Sequence, residues 1–123
     1  MQIKNFADIE SWKEAREFVK IIYDVTLNSQ LSRDYGLKDQ IRRASVSIMS
    51  NIAEGFDSGS DKSFINFLRI SYRSASEVES LLIVLLDLHY IDKAEYEVIN
   101  ERIVRIKKFI GGFIKYLKST LTN

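Results

Sequence analysis

Two carboxylate pairs, Glu54 with Asp57 and Glu77 with Glu79, come nearest to a hydrolytic or metal-holding arrangement. Paired carboxylates can ligate a hard divalent cation or share a proton, provided that they converge. Only Glu77 has a case for burial, because it neighbours Ala75 and Val78 on an apolar face. Little else in the chain supports an enzyme. It has one histidine, His89, no cysteine and no Gly-rich phosphate loop, so the common nucleophile and cofactor signatures are missing. No second ligand-type group clusters with His89, which reads as a turn residue rather than a metal ligand. The expectation is no catalytic residue, no cofactor and no metal, with a metal-dependent hydrolase as the enzymatic alternative.

The cations offer a different chemistry. After Glu101 the sequence carries Arg102, Arg105, Lys107, Lys108, Lys115 and Lys118 and no acid as far as Asn123, while Lys38 and Arg42 add charge nearer the middle of the chain. Such residues can hold phosphates. No base-reading signature accompanies them, so RNA or DNA would be bound weakly and through its backbone. The same pattern also fits a solvated face with cations near a helix C-terminus. Globally, 18 basic and 17 acidic residues leave a net charge of +1, which selects no polyanion.

A third set is polar without being basic. Gln40, Arg43, Ser47, Asn51 and Glu54 recur at spacings of three and four, forming one ridge of a helix. Apolar residues flank it on both sides: Leu37, Ile41, Ala44, Ile48 and Ile52 form a core stripe, and Val46, Met49, Ala53 and Phe56 lie roughly opposite. Ser and Asn are poor helix formers, because their side chains compete for backbone hydrogen bonds. Their use here points to small size or specific hydrogen bonding. We expect Arg43 and Glu54 to be partly buried, with Glu77 as an acidic partner, since a buried charge needs one. A plain solvated ridge is the alternative.

These residues need helices to position them, and the chain supplies four helical patterns. The first covers about Ile9 to Leu27, with Asp8 as a cap and Trp12, Ala15, Val19 and Ile22 as its buried face. A polar linker, NSQLSRDYG, ends in Gly36. The second helix covers about Leu37 to Gly55. Ser58 or Ser60 caps the third, which reaches about Leu88. Asp92 and Glu95 have capping-box spacing at the start of the fourth, which reaches about Leu121. The third helix buries Phe64, Leu68, Ala75, Val78, Leu82 and Leu85; the fourth buries Ile99, Ile103, Ile106, Ile110, Phe113 and Leu117. Short connections between long helices favour an up-down antiparallel four-helix bundle. Apolar residues outside the main stripes, such as Phe18, Ile21, Phe67, Ile70, Val98, Phe109 and Tyr116, are either scattered surface residues or a second buried surface against copies of the same chain. Gly111 and Gly112, inside the fourth helix, mark either a kink or the close approach of another helix.

The stretches QIRRASVSIMSNIAEGF, SFINFLRISYRSASEVESLL and LDLHYI resemble the bacterial four-helix-bundle family encoded in intervening sequences of large-subunit ribosomal RNA genes. IESWKEAREFVKIIYDVT is similar to its first helix, and SNIAEG, at Ser50 to Gly55, is the most specific part. The accessory proteins of diversity-generating retroelements look like relatives. The resemblance implies a protomer that assembles into a ring, typically a pentamer, with no established enzymatic activity. The retroelement proteins add nucleic acid and a reverse transcriptase as implied partners. The sequence departs from the family in having Met49 where Pro is frequent, and His89 where Gly is usual. A proline kink is therefore not expected, and His89 must take up the left-handed turn.

The expectation is one all-α domain, 1–123, forming a homo-oligomeric ring in the cytoplasm. The absence of cysteine suits a reducing compartment. No apolar run is long enough for a membrane span, and MQIKNFADIESW has none for a signal peptide. The expected role is a non-enzymatic assembly or adaptor protein with nucleic acid as partner, or a purely protein-binding scaffold.

Overall fold

The computed structural model describes residues 3–28 and 30–121. Readings that touch Met1, Gln2, Ser29, Thr122 and Asn123 lie outside the described residues. Four helices make up the fold: α1 (Glu10–Val25), α2 (Tyr35–Phe56), α3 (Asp61–Asp87) and α4 (Lys93–Leu121), with single 3-10 turns at Phe6–Asp8 and Leu31–Arg33. Among the described residues there is no strand. Each helix packs on its neighbour in sequence, and α4 returns to α1 to close the bundle. At ~1.5 Å per residue, α4 is about 43 Å long.

The caps explain most of the boundaries. Ser60 Oγ accepts the Ser63 N–H at 3.1 Å and starts α3. Asp92 and Glu95 form a reciprocal capping box: Glu95 N–H donates to Asp92 Oδ1 (2.8 Å) and Asp92 N–H to Glu95 Oε1 (3.2 Å). Two expectations are corrected. Asp8 does not cap α1; Asn5 caps the preceding 3-10 turn instead, with its Oδ1 on the Ala7 N–H (2.8 Å). Asp34 caps α2 through the Leu37 N–H (3.2 Å), so Tyr35 and Gly36 form its first turn rather than the end of a linker. Helix α2 runs unbroken through Met49.

The α3–α4 turn closes as a Schellman motif. His89 sits at φ 60, its N–H bonds to the Leu86 carbonyl (3.0 Å), and the Tyr90 N–H reaches back to Leu85 (2.9 Å). Tyr90 then ties this end to the first linker. Its hydroxyl donates to Asp34 Oδ2 (3.0 Å) and its carbonyl accepts from Asn28 Nδ2 (2.7 Å). The hydrogen bond to the Asp34 carboxylate holds the Tyr90 phenol above its ordinary pKa of 10.0.

The core stripes of α2, α3 and α4 are buried nearly as the periodicity predicts, with Leu37 and Phe113 half-buried at the margins. Helix α1 differs. Phe18, placed outside its main stripe by the spacing, is fully buried, whereas Trp12 and Val19 are only half-buried. The stripe is rotated because α1 packs on both α2 and α4. Val46, Ile70, Val98, Phe109 and Tyr116 stay exposed.

Candidate functional site

The polar ridge of α2 turns out to be the seam at which α2 meets α3. Ser47 and Ser74 hydroxyls hydrogen-bond at 2.8 Å. Asn51 Nδ2 donates to the Ser47 carbonyl (2.9 Å) and hydroxyl (3.0 Å). Ser71, fully buried, donates to the Ile48 carbonyl across the seam at 2.7 Å. At the end of the seam, a Cβ on Gly55 would lie 2.7 Å from Phe64 Cδ1 and 2.8 Å from Phe67 Cβ. Small residues occupy mid-helix positions here because the two backbones approach too closely for larger ones.

The charged members of the ridge behave differently. Gln40 Nε2, not Arg43, donates to Glu77 Oε2 (3.2 Å). In the protomer Arg43, Glu54 and Glu77 are exposed, and no ion pair links them among the described residues. The reason is rotational. Arg43 stands on the outer edge of the seam, between two open grooves of ≈ 600 Å³ and ≈ 590 Å³. One runs along α1 past Tyr23, Arg42 and Val46; the other runs along α3 past Ser74 and Glu77.

The carboxylate pair on α3 diverges. Residues two apart on a helix face opposite ways. Glu77 meets Gln40 of α2, while Glu79 accepts from Lys107 Nζ of α4 at 2.6 Å. The burial expectation is reversed, since Glu79 is half-buried and Glu77 exposed. No group of three or more His, Asp or Glu converges among the described residues.

The predicted cations fall into engaged and free sets. Lys107 is bound to Glu79, with side-chain exposures of 21% and 28%, and its Nζ also lies 4.8 Å from the centroid of Tyr72. The hydrogen bond to Glu79 holds its pKa above the ordinary 10.5. Arg105 Nη2 donates to both carboxylate oxygens of Glu14 on α1 (3.1 and 3.0 Å). Arg42 Nε donates to Thr26 Oγ1 (2.8 Å) and its guanidinium stacks 4.2 Å from the Tyr23 ring. Lys38 reaches the Ser32 carbonyl (3.3 Å) and the Tyr35 ring. Arg102 is half-buried. Lys108, Lys115 and Lys118 are exposed and take part in no ion pair among the described residues.

Antiparallel packing sets these lysines beside α3 residues that the sequence did not single out. Phe64 meets Phe113 with ring centroids 5.1 Å apart, and Thr120 Oγ1 donates to Asp61 Oδ2 (2.9 Å), so the start of α3 lies against the end of α4. Arg69 and Arg73 of α3 therefore lie beside the α4 stretch that carries Lys108, Lys115 and Lys118, from mid-helix toward the start of α3 and the end of α4. Asp87, Glu95, Glu97 and Glu101 lie toward the other end, with Lys93 and Arg102 among them, and Asp61 stands at the end of Lys118. Arg69 and Arg73 are spaced i, i+4, which marks one helix face, but nothing local says which neighbour that face accompanies.

No helix of the described residues is long and apolar enough to cross a membrane. Among solved structures, a protein of unknown function from the S23 ribosomal protein family of Bacteroides thetaiotaomicron is similar, with 30% identity and a TM-score of 0.80. The match covers 85% of this chain and 95% of that one. No curated protein matches. The profile of the 23S rRNA-intervening sequence protein family matches residues 7–112, which is most of the four-helix fold, and the chain belongs to that family.

Proposed function

We propose that the protein is a non-enzymatic adaptor that forms a homo-oligomeric ring and binds RNA or DNA weakly through phosphates. The supporting observation is the cluster of cations on the α3–α4 face, where Arg69 and Arg73 of α3 lie beside Lys108, Lys115 and Lys118 of α4 and none of the five is in an ion pair among the described residues. A nearly neutral chain thereby gains a locally positive surface, which a ring repeats once per protomer. The exposed apolar residues and the open grooves beside Arg43 support a second copy as neighbour. The number five comes from the family resemblance alone. A reverse transcriptase is a candidate partner only through the resemblance to retroelement accessory proteins.

The test is a titration of labelled RNA and DNA at several salt concentrations. Phosphate contacts release counterions, so affinity falls steeply with salt. Changing Lys108, Lys115 and Lys118 to Gln reduces the logarithmic salt slope by about 1 for each lysine that touches a phosphate. No binding by the wild type at low salt leaves the protein-scaffold reading in its place.

A further inference from the structure

Gly111 and Gly112 lie inside an unbroken α4, where glycine is the least favourable residue after proline. Packing within the protomer does not require them. A Cβ at Gly111 would make only ordinary contact with Tyr72, at 3.8 Å, and one at Gly112 would meet nothing within 4 Å. What the glycines do is leave the α4 wall bare beside Tyr72. Two adjoining stretches of groove share Tyr72 and Gly111. One, of ≈ 650 Å³, runs past Arg69, Arg73 and Ile114; the other, of ≈ 370 Å³, runs past Lys107 and Lys108. Glu79 is the single acid on these walls, and Lys107 already engages it. The groove is thus a cationic channel with a half-exposed aromatic ring at its centre.

We propose that this groove is a single-stranded nucleic-acid site, in which one base stacks on Tyr72 across the bare Gly111 backbone while Arg69, Arg73 and Lys108 hold the flanking phosphates. The proposal rests on the nucleic-acid reading above and adds the form of the strand and the stacking residue. A duplex keeps its base faces stacked on each other, so only an unpaired strand offers a face to Tyr72. Lys107, paired with Glu79, already lies over one face of the ring, so the base takes the other face. A helix from a second copy also fits a glycine surface and has Glu95, Glu97 and Glu101 to answer the cations; the oligomeric state of the Gly111 variant separates the two occupants. A polyphosphate backbone brings one charge per nucleotide.

The probes are a labelled short oligouridylate and an RNA duplex, titrated against the full chain at low salt. Single-strand affinity should fall about 5- to 160-fold in Tyr72→Leu, the range for losing one base–aromatic stack. Tyr72→Phe should restore it, and duplex binding should barely change. Gly111→Leu should fill the groove and weaken single-strand binding to a similar extent while its melting temperature does not fall, because leucine is a better helix former. Single-strand binding unchanged in both Tyr72→Leu and Gly111→Leu overturns the groove assignment and leaves the general nucleic-acid reading standing. Absence of all nucleic-acid binding by the wild type overturns both. If Gly111→Leu instead breaks up the oligomer and leaves binding intact, a second copy occupies the groove and the proposal falls.

Discussion

Gly55 is the residue at which one added methyl group conflicts most directly with the fold. Its Cβ would press on Phe64 and on the Cβ of Phe67, which cannot rotate away. Gly55→Ala gains about 1 kcal/mol of helix propensity but forces α2 and α3 apart. The expected outcome is a net loss of about 1–3 kcal/mol in urea denaturation, the usual cost of overpacking. His89 predicts the opposite. It holds the left-handed turn position that glycine takes without strain. His89→Gly should stabilise by about 1 kcal/mol, and His89→Val should destabilise by at least as much, both readable as shifts in the unfolding midpoint. The role of His89 was legible because the helix end and the turn are local. That of Gly55 was not, since its constraint comes from the distance between two helices across a turn.

At the scale of the helices, periodicity located three of the four core faces. It misplaced that of α1, because Phe18 and Val19 both belong to plausible stripes and only the packing of α2 and α4 chooses between them. The polar seam of α2 was legible as a patterned anomaly. Its hydrogen bonds to Ser71 and Ser74 depend on the register of α3, which one sequence does not give. The Lys107–Glu79 bridge joins α3 to α4 in the same unforeseeable way. Its strength should depend on pH with a definite sign. The folded state raises the Lys107 pKa, so the stabilisation is complete below about pH 10.5 and disappears as pH climbs through the raised value. Glu79→Gln should cost about 0.5–1 kcal/mol at neutral pH. On the alkaline side the difference from wild type should narrow as pH climbs through the raised Lys107 value, as followed by denaturation across pH.

For the whole molecule, the decisive measurement is mass in solution. Sedimentation at micromolar concentration should show an oligomer, and a monomer throughout would remove the proposed ring. Arg43 is exposed on the protomer, between two open grooves. Arg43→Ala should therefore change protomer unfolding by no more than about 0.5 kcal/mol while lowering the oligomer fraction; an unaltered oligomer would clear Arg43 of an interface role. Charge was legible in the sequence as a list of residues, whereas its arrangement was not. Arg105 and Lys107 are engaged by partners on other helices, and Arg69 and Arg73 join the α4 lysines only because α3 and α4 run antiparallel. That arrangement has one more consequence. Lys115 and Lys118 lie about 27–35 Å along α4 from Glu95 and Glu97, farther apart than the ~8 Å over which physiological salt screens charge. Each end therefore meets a charged surface as if the other were absent, and the net charge of +1 is a poor guide to behaviour. At neutral pH and about 0.05 M salt, where screening acts over about 14 Å, the protein should be held by both anion-exchange and cation-exchange resins, one end to each, and leave both when more salt is added.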